Sequence, residues 1–112
     1  MKDEEGSARA HAIFDPIAAV YLAEPDVDIG PMFGSEGLRI RGKIFAFVGF
    51  QGGLVVKVPQ ARADEIVAAG TAERMTMRER EMREWLLVGR GERELWPVLI
   101  AEAFAYVDEL TP

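Results

Sequence analysis

The stretch GPMFGSEGLRIRGKIFAF, Gly30–Phe47, decides the fold. Leu38 and Ile40 alternate with Arg39 and Arg41, the period of two expected of a strand with one buried face. Gly42 has no Cβ and takes positive φ freely, so Arg41-Gly42-Lys43 reads as a tight hairpin turn. The following KIFAFVGF is apolar at nearly every position and predicts a strand buried on both faces. QGG makes a second turn, and LVVKVP a third strand that Pro59 ends. The centre of the chain is therefore an antiparallel meander.

Working outward, Ile13, Ile17, Val20 and Tyr21 recur at helical spacing between Ala8 and Ala23. Pro16 lacks an N–H and crowds the preceding turn, which predicts a kink or restart there with Asp15 as N-cap of the second piece. EPDVDIGP reads as an extended connection. QARADEIVAAG predicts a short helix closed by Gly70. TAERMTMRERE fits either a strand with a loop or a charged helical turn, and MREWLLVG ends in a strand from Trp85 to Val88. After a turn at RGER, Glu94 to Leu110 forms an amphipathic helix whose stripe is Trp96, Leu99, Ile100, Ala103, Phe104 and Val107. Pro97 is tolerated in its first turn. The order α-β(3)-α-β(1–2)-α predicts an α+β domain, helices flanking a curved antiparallel sheet. Residues 1–7 are acidic and polar and predict a disordered tail, leaving 8–112 as a single domain.

Bulk composition narrows the functions. A chain of 112 residues, 49% hydrophobic, builds one core and has no room for two. Thirteen Lys and Arg against nineteen Asp and Glu leave a net charge of -6, which disfavours binding that depends on neutralising phosphates. With no cysteine, disulfides, thiolate metal sites and Cys nucleophiles are excluded, and a reducing cytoplasm is the expected location. The apolar runs Ile17–Ala23 and Ile44–Phe50 are too short to span a bilayer, and no membrane partner is expected.

Candidate chemistry is sparse. His11 is the only histidine, whereas a metal site or a dyad needs further ligands or a nucleophile beside it. The glycines of GFQGG and GRGER lack the Lys-Ser/Thr of a phosphate loop and read as turns. Asp26 and Asp28 flank Val27 and would share a face in an extended segment, a weak cation site or a solvated pair. Between Glu73 and Glu94, six arginines alternate with six glutamates, the pattern of a salt-bridged surface. Arg39, Arg41, Lys43 and Lys57 form the better basic set for nucleic-acid contact, with Arg39 and Arg41 on one strand face and Arg62 further along the chain. Met75, Met77 and Met82 offer an adaptable contact surface or a cover for the core. No catalytic, cofactor or metal residues are assigned.

PMFGSEGLRIRGKIFAFV, then GLVVKVP, MREWLLV and EAFAYV, resembles the N-terminal domain of the TfoX (Sxy) family of competence regulators, and more distantly the MmcQ/YjbR domains. Met32-Phe33-Gly34, Gly42 to Ala46 with Phe45, Lys57 and Trp85 carry the likeness. The resemblance implies a secretion-chaperone-like α+β sandwich, with Met32 and Phe33 as core anchors, Gly34 as a bend and Gly42-Lys43 as the hairpin. It also implies a bacterial regulator. The expected function is a non-enzymatic regulatory module that binds another protein or itself, with a homodimer expected if the sheet edges pair. The alternative is a weak nucleic-acid-binding transcription or competence regulator.

Overall fold

The computed structural model describes residues 4–32, 35–49 and 52–112. Helix α1 (Glu4–Leu22) precedes four strands, β1 (Val27–Met32), β2 (Ser35–Ile40), β3 (Lys43–Val48) and β4 (Leu54–Lys57). Helix α2 (Gln60–Ala68), strands β5 (Glu73–Met77) and β6 (Arg80–Val88), a 3-10 helix (Arg90–Leu95) and helix α3 (Trp96–Leu110) complete the chain. The six strands form one antiparallel sheet in the order β1-β2-β3-β4-β6-β5. The α+β class expected from the sequence is the class observed.

Several local expectations are corrected. EPDVDIGP supplies a strand, β1, because Val27 and Ile29 fall opposite Ile40 and Leu38 and pair along β2. Pro31 is accommodated because β1 lies at the sheet edge. α1 begins at Glu4, inside the stretch expected to be a tail, and runs through Pro16 without ending. Proline removes one hydrogen bond, while Phe14 and Ala18 on either side are buried and hold both halves to the core. Asp15 is accordingly mid-helical rather than a cap, and RGER belongs to a 3-10 helix rather than a bare turn.

The core lies between the sheet and the helices. Ala10, Phe14 and Ala18 from α1, Ala63 and Ile66 from α2, and Trp96, Leu99, Ile100, Ala103 and Val107 from α3 are buried in one cluster with Leu38, Val56, Leu86 and Val88. The Trp96 indole N–H donates to the Gly89 carbonyl at 3.2 Å, so the largest fully buried side chain keeps its polar atom satisfied. A bulge shapes the centre. Leu38 pairs with Ala46 and Arg39 with Ile44, leaving Phe45 as the extra residue. Phe45 thereby turns toward the helices, 6.0 Å from the ring of Tyr21 and 5.5 Å from that of Phe104. Phe47 and Val55 pair on the opposite face and are buried too, as a strand apolar on both sides requires.

α2 closes with a pair of hydrogen bonds from Gly70 to Val67 and from Thr71 to Ile66, the Schellman pattern. α1 and α3 run in the same direction over the sheet. Gly6 of α1 lies against Gly52, and Trp96 at the start of α3 bonds Gly89, beside the paired ends of β4 and β6. Their far ends meet at the β2–β3 turn, where the candidate site lies.

Candidate functional site

The expected basic face is disassembled by its own neighbours. Register places Asp28 across from Arg39, which donates from Nε and Nη2 to the two carboxylate oxygens at 2.8 and 2.7 Å. The Arg39 side chain crosses directly over Gly30, where a Cβ would collide with it, so this glycine is required for the pair. Arg41 does not share that face. The strand ends at Ile40, and Arg41 takes φ 47° in the turn, with Gly42 at φ 84°. From there its Nε donates to the Thr111 carbonyl at 2.6 Å, and Nη2 to the Asp108 carbonyl and carboxylate at 3.0 and 2.6 Å. Nη1 reaches Asp26 at 3.1 Å. A guanidinium at the end of α3 meets the carbonyls that a helix leaves unpaired and the negative end of its dipole. Asp26 and Asp28 do hold cations, and both cations belong to the protein.

Lys43, the third member of the set, is exposed and has no ion pair among the described residues. Lys57 sits 5.9 Å from the ring centroid of its cross-strand neighbour Trp85, and 3.9 Å from Glu84. Trp85 in turn packs edge-on to Phe47 at 6.1 Å. Glu84 accepts a hydrogen bond from Tyr106 of α3. The alternating charges of β5 and β6 are partly paired, Arg74 bonding Asp64 of α2 and lying 4.0 Å from Glu81. Met75 and Met82 are cross-strand neighbours and, like Met77, half-buried, between the two roles open to them. His11 hydrogen-bonds Asp15 through Nδ1 at 2.9 Å and lies edge-on to Phe14.

The electrostatics reinforce this picture. The Arg39 hydrogen bond pulls the Asp28 carboxyl below its ordinary range, and the same bond raises Arg39. Arg41 is raised chiefly by its bond to Asp108, and Arg62 by its bidentate bond to Glu102. The bond to Glu84 pushes the Tyr106 hydroxyl up to about 12, and burial raises that of Tyr21. Each of these shifts moves its group further from neutral pH, the reverse of what a general acid or base needs. Among the described residues no polar or charged side chain is buried, and no group of three or more His, Asp or Glu is placed to hold a metal ion. The depressions are open ones, such as that between α2, β5 and the 3-10 helix, lined by Val67, Thr71, Arg74, Leu87 and Gly89.

What the molecule does display is apolar. Among the described residues, the large hydrophobic side chains left exposed are Val20 (69%), Leu22 (42%), Ile29 (38%), Val98 (51%) and Leu110 (51%). All lie on α1, on α3 or on β1 at the sheet edge, and none on α2, β5 or β6. Leu22 and Leu110 end the two helices that converge on Arg41. Val20 shares helical spacing with Ile13, Ile17 and Tyr21, yet the helix turns it outward. Ile29 went unnoticed because its strand did.

Of the positions that carry the family likeness, Gly42 makes the hairpin turn and Phe45 the core contact described above. Trp85 lies half-buried on the second sheet face. Phe33 and Gly34 lie outside the described residues, and Met32 is described through its backbone pairing with Ser35. No helix among the described residues is long and apolar enough to cross a membrane. No family model matches this chain, and no curated protein or solved structure does.

Proposed function

We propose that the chain is a non-enzymatic regulatory interaction module, TfoX N-terminal-like in role, acting in the cytoplasm through a protein partner or a second copy of itself. The observation that carries this is that the exposed large apolar side chains among the described residues all fall on α1, α3 and the β1 edge. Where such side chains join into a contiguous apolar patch, the patch marks a contact site. The outward-shifted pKa values of Asp28, Arg62 and Tyr106 fit a surface built for pairing rather than proton transfer. The test is affinity capture from native cytosol with the wild-type chain and Val20→Asp, combined with sedimentation of the purified protein. A stoichiometric partner, or a dimer, that is lost in the variant supports the proposal. A monomer that captures nothing defeats it.

One feature favours a second reading, single-stranded nucleic acid bound on the sheet. Lys57 beside the half-buried Trp85 is the pairing of cation and aromatic plane on which bases stack. Quenching of tryptophan fluorescence by oligonucleotides, weakening steeply with salt and lost in Lys57→Glu, is the expected sign. No quenching at low salt removes that reading.

A further inference from the structure

We infer that the outer surface of α1 and α3 docks a cationic amphipathic helix, its apolar stripe flanked by Lys or Arg. This rests on the interaction-module reading and specifies the partner's chemistry. Ala12, Pro16 and Val20 are exposed at i, i+4 and i+8, along one face of α1. Val98, Ala101 and Ala105 are exposed at i, i+3 and i+7 along α3. Both helices bury their other faces in the same core, and the rings of Tyr21 and Phe104 lie 5.2 Å apart between them. Mostly small side chains in such a row let another helix approach closely, while Val20 and Val98 supply apolar area to cover.

Charge selects the occupant. No Lys or Arg lies between Ala10 and Leu38, and none between Glu94 and Pro112. The arginines that reach α3, Arg41 and Arg62, are held by Asp108 and Glu102. Glu24 and Glu109 remain as exposed carboxylates, and that of Asp15, also exposed, is bonded only to His11 among the described residues. A second copy would bring the same anionic surface against itself, in a chain of net charge -6. A partner carrying cations beside its apolar stripe meets both features at once.

The experiment uses the full chain and a fluorescein-labelled helical peptide of roughly 18 residues, long enough to be partly helical alone, with a Leu stripe flanked by Lys. Its twin carries Glu in place of every Lys. Binding is read by anisotropy at low and moderate salt. The lysine peptide is expected to bind, to weaken several-fold as salt rises, and to bind about tenfold more weakly to Ala101→Arg. The glutamate twin is expected not to bind. Ala101 is exposed, so the variant should fold, and circular dichroism checks this. Equal binding of both peptides, no binding of either, or indifference to Ala101→Arg overturns the proposal. A wild-type dimer broken by Ala101→Arg, with neither peptide bound, also overturns it while leaving the interaction module standing.

Discussion

Two hairpins of this molecule turn in the same way and are supported in opposite ways. Between β2 and β3 the turn residues are Arg41 and Gly42, at φ 47° and 84°; between β5 and β6 they are Arg78 and Glu79, at 52° and 64°. The first turn has a glycine at its more strained position, and the Arg41 side chain is tied down by α3 and Asp26. The second has two residues with a Cβ in the left-handed region and both are exposed. Its ladder also slips, Arg74 pairing with Leu86 and Met75 with Met82, so residues 83 to 85 of β6 have no register partner on β5. Geometry in the first hairpin is set by turn chemistry plus a tertiary clasp. In the second it is imposed by neighbouring pairs, against local preference.

The difference can be broken or sharpened by mutation. The largest effect is expected from Phe45→Ala, which empties a fully buried aromatic site at the bulge of the first hairpin and should cost ~3–5 kcal/mol in urea unfolding. Met82→Ala, at the half-buried cross-strand pair of the second, should cost only ~1 kcal/mol. Equal losses would erase the contrast. Next, Gly42→Ala should destabilise by ~1 kcal/mol while Glu79→Gly stabilises by ~0.5–1 kcal/mol, because each changes the strain of a positive φ in the opposite sense. A destabilised Glu79→Gly would mean that the second turn is not strained.

Smaller effects follow from ionisation. The Tyr106 hydroxyl is raised from its ordinary 10.0 to about 12 by Glu84. The folded state therefore favours the protonated phenol. That contribution is complete below pH 10 and is lost as the pH rises toward about 12. Tyr106→Phe should flatten the fall in stability over that window, and an unchanged slope would remove the hydrogen bond from the account. Smallest of all, Gly30→Ala should dislodge Arg39 and return the Asp28 carboxyl, now below its usual 3.8, toward that value, as NMR titration would register.

The sequence carried the first hairpin openly and the second barely at all. LRIRGKIFAF contains its own alternation, glycine turn and apolar strand, so the meander was legible. ERMTMRERE contains no turn former, and only pairing against β6 makes it a strand. β1 escaped for a related reason. A short edge strand that follows Pro25 and contains Pro31 has one buried valine, and its period is visible only beside Leu38 and Ile40. The basic candidates were legible as residues and not as a surface. Nothing local to Arg41 says that Asp108 and Thr111 will be brought to it by α3. The exposure of Val20 depended on which face of α1 met the sheet, and Ile13, Ile17 and Phe14 outweighed it.

The Arg41 clasp also bears on time. Its partners Asp26, Asp108 and Thr111 lie 15, 67 and 70 residues away along the chain. Closing the two longer loops is entropically unfavourable until the meander and α3 have docked, so the bonds to Asp108 and Thr111 are expected to form late in folding. Interactions made that late leave the folding rate alone and slow the reverse step. The clasp is in this sense expected to act as a latch on the native lifetime, its removal speeding the separation of α3 from the β2–β3 turn.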